Sequence, residues 1–248
     1  MRQNISLLQF FTSLIFGIYA FIELIHFNVT ILDKTQFLYM TTWNYYISSI
    51  YLIVISICDF SLYILKSNKL DIVNEIFREN LSPSFTAITY LVSITFWMII
   101  FPMIISNGED GNFGVGPYMN LYIHLFLTIF QTIDIFISYR KQKGIVIKYD
   151  FLIAVFILGA YALLSLILIY GFDKRVYPFF NNLTWYIFIG LFLFFAILIF
   201  VSYLIFVGLI KLKYRLKIFI IKDDSNNNEI SISDEETNKE NKENKDSI

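Results

Sequence analysis

Residues 184–210 read TWYIFIGLFLFFAILIFVSYLIFVGLI, a stretch without one charged side chain. A helix of that length rises about 1.5 Å per residue and covers about 40 Å, more than the roughly 30 Å of hydrocarbon in a bilayer. Backbone amides inside hydrocarbon must be satisfied within the segment, so the stretch is expected to be a transmembrane helix. Working outward toward the N terminus, comparable apolar runs fall near 5–27, 39–64, 84–106, 118–138 and 150–171. The pattern predicts an all-α, polytopic helix bundle of about six spans. The first run has no small-residue cleavage site and carries Glu23 and His26 near its end, so it reads as a retained span and not a signal peptide.

Composition agrees with this reading. Of 248 residues 57% are hydrophobic and 16% charged, and the mean hydropathy is +0.63, which excludes an ordinary water-soluble domain. The net charge of -1 averages two unlike parts, because charges are sparse to about residue 210 and crowded after it. Residues 223–248 hold nine acidic and three basic side chains among Asn and Ser, a composition unable to bury enough apolar surface to order itself. The expected organisation is a six-span domain over 1–222 and a disordered polar tail over 223–248. Cys58 is the one cysteine, so an internal disulfide is impossible. Basic residues sit at the ends of apolar runs and not among exposed aromatics, which argues against a nucleic-acid partner.

The same basic residues predict orientation. Arg2, then Lys66, Lys69 and Arg78, then Arg140, Lys141, Lys143 and Lys148, then the five from Lys211 to Lys222 make thirteen on alternate flanks. Lys34, Lys174 and Arg175 make three on the others. The positive-inside rule then sets both termini in the cytoplasm and the Gly-rich loop 107–117 outside, in the endoplasmic reticulum or plasma membrane. Sequons begin at Asn28 and Asn182 on the outer side, both very near the membrane. Trp43, Tyr45, Tyr118, Tyr177 and Trp185 stand at span ends as expected interfacial anchors, and Pro102 is expected to bend or end the third span.

Polar groups in hydrocarbon are costly, so those present should face protein or an internal cavity. On span two, Thr41, Asn44, Ser48 and Asp59 share a narrow arc at about 100° per residue. On span four, Asn120, His124, Thr128, Gln131 and Asp134 share an arc of about 120°, leaving Leu125, Phe126, Ile129 and Phe130 for lipid or neighbouring helices. Thr41 and His124 both lie near the outer ends of their helices, about 3 Å and about 9 Å below the span starts. A hydroxyl beside an imidazole is the minimum for nucleophilic acyl transfer: the imidazole removes the Thr proton, the oxygen attacks a carbonyl, and the proton returns to the leaving group. Taken singly, an intramembrane Thr or His more often bonds across helices. Glu23 and His26, three residues apart, read as a local pair. Two histidines without ligand spacing give no reason to expect a metal.

The stretch Phe37-Leu38-Tyr39-Met40-Thr41-Thr42-Trp43-Asn44, followed by Cys58-Asp59-Phe60, resembles the second-span signature of the androgen-induced and androgen-dependent family of multipass threonine hydrolases. Asn120-Leu121-Tyr122-Ile123-His124 running on to Asp134 is similar to that family's Asn-x-x-x-His segment. Phe96-Trp97 and Val176-Tyr177-Pro178-Phe179 resemble further landmarks in the same order. The resemblance implies hydrolysis of fatty acid esters of hydroxy fatty acids inside the membrane, without metal or cofactor, with the nucleophile on Thr41 and the base on His124. The chain departs from the pattern over 102–108, which lacks the family's charged triplet, and at Ile129, where the family has Pro. A second multipass family, the rolling-stone proteins, has a similar Thr-x-Trp-Asn signature and no established hydrolase role.

The function expected is therefore an intramembrane lipid-ester hydrolase that uses Thr41 and His124, with Asn44 or Asn120 steadying the oxyanion or the imidazole. Asp59 and Asp134 accompany them as supporting residues of the two seams. The expected partner is a lipid substrate. The alternative is a non-enzymatic multipass protein: an ion path through Glu23, Asp59, His124 and Asp134, or a rolling-stone-like membrane protein.

Overall fold

The computed structural model describes residues 6–31, 38–102, 116–138, 149–172 and 184–216. Among these the secondary structure is helical and no strand occurs. Six helices are long and apolar enough to cross a membrane: α1 Leu7–Val29, α2 Met40–Tyr63, α3 Asp71–Ile100, α4 Tyr118–Ile137, α5 Phe151–Gly171 and α6 Trp185–Arg215. The loop 107–117 up to residue 115, Lys34, residues 139–148, the sequon at Asn182, the segment 176–179 and the tail 223–248 lie outside the described residues.

Ser6 starts α1, its hydroxyl accepting from the Gln9 amide at 3.1 Å, which satisfies one of the four free amides of the first turn. The chain then runs up and down. Gln9 faces Asp59 and Tyr46 faces Asn28, so α1 and α2 are antiparallel. Tyr51 packs on Phe85 and Ser48 meets Thr89, which makes α2 and α3 antiparallel. Tyr90 meets Thr132 and Ser93 meets His124, so α4 reverses again. Phe151 lies against Phe200 and Tyr203, and Tyr161 against Phe192, which brings α6 back along α5.

Two apolar cores hold the bundle. One joins Phe16, Ala20 and Phe27 of α1 with Tyr45, Tyr51, Leu52 and Ile55 of α2 and Met119, Tyr122, Ile123 and Leu127 of α4. The other joins Met40 of α2, Ile88, Leu91 and Val92 of α3, Ala154, Leu158 and Tyr161 of α5, and Ile199 of α6. α3 is the most enclosed helix, while α5 and α6 leave most of their surface outside. Where α1 crosses α2, a Cβ on Gly17 would strike the Cβ and Oγ of Ser56. Only hydrogen fits there, and the close approach lets the two backbones gain dispersion contact that lipid cannot replace.

The structure differs from the expected spans at α3, which begins at Asp71 and not near residue 84. Hydropathy misses this first part because its polar and charged groups turn inward: Asn74, Arg78, Glu79 and Ser82 are buried. The helix also has to accommodate Pro83, whose ring would clash with the carbonyl four residues earlier. It does so by a wide, π-type turn over Ile76–Leu81 immediately before the proline. Pro102 is the last described residue of this helix. A second difference concerns Tyr45, which is no interfacial anchor: it is fully buried, with its ring 4.7 Å from Phe27 and 5.8 Å from Tyr122. Trp185, 63% exposed, keeps the position expected of an anchor.

Candidate active site

Thr41 stands in the first turn of α2, half-buried, and Thr42 beside it is buried. On α4, His124 lies in a π-type turn over Tyr122–Phe126 and is only 4% exposed. Three side chains of α3 hold it. The Phe96 ring stacks on the imidazole, 3.7 Å between centroids and 3° from parallel. The His124 backbone carbonyl accepts from the Ser93 hydroxyl and from Trp97 Nε1, the latter at 3.2 Å. A wide turn leaves carbonyls free of their usual helical partner, and here side chains of α3 take one up. The His124 Nδ1 is buried without a hydrogen-bond partner.

Below this level the seams of α2 and α4 meet across α3. Asn44, Ser48 and Thr89 are each fully buried. The Thr89 oxygen lies 2.8 Å from Asn44 Oδ1 and 2.9 Å from Ser48 Oγ, and Gln131 Nε2 donates to it at 3.1 Å. A hydroxyl has one proton, for which Asn44 Oδ1 and the Phe85 carbonyl, 2.9 Å away, both stand as acceptors on Thr89, while Gln131 supplies a hydrogen that Thr89 accepts and Ser48 Oγ also lies 3.3 Å from Asn44 Oδ1. Asn44 Nδ2 and Gln131 Oε1 remain without partners.

Thr89 gives a common depth mark. Thr41 precedes Asn44 by three residues, about 4.5 Å of rise, and His124 precedes Gln131 by seven, about 10.5 Å. Both therefore lie on the same side of the Thr89 level. Contact between their helices runs through Tyr45, one turn from Thr41, and Tyr122, two residues from His124. Among the described residues no hydrogen bond joins Thr41 to His124, whose ring faces Phe96. Asn120 is buried one turn before His124.

Asp59 and Asp134 are elsewhere. Asp59 lies 18 residues along α2 from Thr41, about 27 Å away, and Asp134 lies ten residues from His124, about 15 Å. Arg78, which the sequence assigned to a solvated flank, brings them together. Its Nη1 donates to Asp59 Oδ1 at 2.6 Å and its Nη2 to Asp59 Oδ2 at 2.8 Å, while Nη2 also reaches Asp134 Oδ1 at 3.3 Å. Asn74 Oδ1 accepts from Nη1 at 3.0 Å, Tyr51 donates to Asp134 Oδ2 at 2.7 Å, and Gln9 Nε2 donates to Asp59 at 3.3 Å. Four helices are tied by this one cluster, with two carboxylates facing one guanidinium and neutral donors filling the remaining lone pairs. The signal for Arg78 was a third polar stripe, Asn74, Arg78, Ser82, Thr86, Thr89 and Ser93, at helical spacing.

Near the C-terminal end of α1 Glu23 and His26 pair as expected, Nδ1 to Oε2 at 3.5 Å. Tyr118 adds what spacing did not foretell: its hydroxyl donates to Glu23 Oε1 at 2.7 Å and contacts the Tyr19 hydroxyl. Among the described residues no group of three or more His, Cys, Asp or Glu is placed to hold a metal ion.

A model of the FAR-17a/AIG1-like protein family matches residues 3–211, from the start of the bundle almost to the end of α6. The chain belongs to this family. It is the androgen-induced family to which the Thr41 and His124 segments pointed, and this FAR-17a/AIG1-like chain is accordingly an integral membrane protein of six apolar helices. Comparison with curated proteins and with solved structures finds no match.

Proposed function

We propose that this FAR-17a/AIG1-like chain is an intramembrane lipid-ester hydrolase acting on fatty acid esters of hydroxy fatty acids. Thr41 is the nucleophile and His124 the general base and then acid. The imidazole takes the proton from Thr41 Oγ as that oxygen attacks the ester carbonyl; the carbon to alkoxide bond breaks and the proton passes to the departing hydroxy fatty acid. Water then cleaves the acyl-threonine. The observation that carries the reading is His124: an imidazole enclosed in hydrocarbon, braced by Phe96, Ser93 and Trp97, with Nδ1 uncommitted. A histidine retained merely to join helices would have its ring nitrogen in a bond. Asn44 Nδ2, a buried amide donor without a partner three residues from Thr41, suits the oxyanion. Catalytic hydrogen bonds commonly tighten only when substrate is bound, so the absent Thr41 to His124 bond agrees with a resting site.

Orientation belongs to the same proposal: both termini cytoplasmic, with Lys66 and Lys69 in the turn between α2 and α3 on that side. The Asp59 and Asp134 carboxylates, bound to Arg78, favour a structural role over an ion path. The test uses purified full-length protein with lipid esters and an activated phosphonate. Wild type should hydrolyse the ester and carry the label on Thr41, while Thr41→Ala and His124→Ala lose turnover by about 10³-fold or more. Normal turnover in either variant would overturn the assignment, as would wild-type protein that neither reacts nor labels.

A further inference from the structure

Three residues on one face of α4, His124, Thr128 and Gln131, follow one another at steps of four and three residues. Each carries a buried polar atom with no partner: Nδ1, Oγ1 and Oε1. For Thr128 the cause is visible. Its usual helical acceptor is the carbonyl four residues earlier, that of His124, and both lone pairs there are taken by Ser93 and Trp97. Across the Thr89 hydroxyl from Gln131, Asn44 has a spare donor in Nδ2. Asn44 and Gln131 flank a single hydroxyl, that of Thr89, so one spare donor and one spare acceptor stand on either side of it. Covered polar groups without partners are each unfavourable by about 1–3 kcal/mol, and a set arranged in line needs a reason.

We infer that this stripe receives the hydrolytic water, with Thr128 and Gln131 as its positioning residues. The inference rests on the hydrolase reading above. Departure of the hydroxy fatty acid after acylation opens space beside His124. Water enters such a space only where it finds two to four polar partners, and in a core this apolar the α4 stripe and Asn44 provide them. The water oxygen forms a bond to the acyl carbon as the carbon to Thr41 Oγ bond breaks. His124 takes the water proton and returns it to Thr41, releasing a fatty acid and the free threonine.

The test separates the two half-reactions. Full-length protein in detergent is acylated with a chromogenic fatty acyl ester, and the acyl adduct on Thr41 is followed by intact mass after quenching. Thr128→Val keeps the shape and removes the hydroxyl; it should acylate at the wild-type rate and lose the adduct about 10-fold more slowly. Thr128→Ser should decay as wild type does, and Gln131→Met should slow decay as Thr128→Val does. Because the lost hydroxyl has no partner in the resting site, Thr128→Val should melt no lower than wild type, a result that a merely structural hydroxyl would not give. Decay at the wild-type rate in both Thr128→Val and Gln131→Met, or equal slowing of acylation and decay, would overturn the inference while leaving the hydrolase reading intact. Failure of that reading is distinct, because wild-type protein would then form no adduct.

Discussion

Arg78 grips Asp59 at two points, 2.6 Å and 2.8 Å, with both side chains buried between α2 and α3. Removing one partner of such a pair leaves an uncompensated charge in a medium that cannot solvate it, which typically destabilises by about 3–5 kcal/mol. Arg78→Met should therefore lower the detergent melting midpoint sharply, with Asp59 and Asp134 both left exposed to each other. Adding Asp59→Asn and Asp134→Asn to Arg78→Met should restore much of the loss. Unchanged melting in Arg78→Met would show that the cluster contributes nothing.

Gly17 meets Ser56 closely where α1 crosses α2. Gly17→Leu has to push the helices apart, and overpacking of this kind costs about 1–3 kcal/mol. Ser56→Gly should recover part of that loss by making room. Thermal unfolding followed by circular dichroism reads both, and a Gly17→Leu protein as stable as wild type would contradict the close packing.

The helices themselves were legible because hydrocarbon permits few solutions: an apolar run of sufficient length has to satisfy its own backbone, as at 184–210. The two seams were legible for the same reason, since Asn44, Ser48, His124 and Gln131 have nowhere to turn but inward. Arg78 was not, because a charged residue near a span end reads as a flank whether it points to water or to Asp59. That choice depends on α3 continuing back to Asp71, which hydropathy conceals when the charges are paired inside. Tyr45 was misread on the same ground: position along a span does not say which face a side chain occupies. The stacking of Phe96 on His124 also lay beyond the sequence, where Phe96-Trp97 was legible only as a landmark.

Lys213 offers a third test. It is 2% exposed near the end of α6, and its ammonium donates to the carbonyl of Ile135 at 3.0 Å and to that of Ser138. A cation there satisfies carbonyls that the end of α4 leaves free and opposes the negative end of its dipole. Lys213→Met keeps the stem and removes these bonds, so it should destabilise by about 1–3 kcal/mol. Lys211→Met, two residues away and exposed, is the control and should change little. Similar melting curves for the two variants would refute the cap.

Phe96 sets the plane of the His124 ring, and it does so with no polar bond of its own to the imidazole. Phe96→Leu retains most of the apolar volume and gives up the parallel face, so the imidazole gains rotamers that point Nδ1 and Nε2 in other directions. If His124 is the base for Thr41, lost orientation should show as a fall in kcat of about 10- to 100-fold with KM little changed. Stability should fall far less, because a volume-conserving apolar exchange usually costs under about 1.5 kcal/mol. Phe96→Tyr, which preserves the face, should retain activity. A Phe96→Leu protein with wild-type kcat would mean that the ring is held by Ser93, Trp97 and the wide turn of α4 alone.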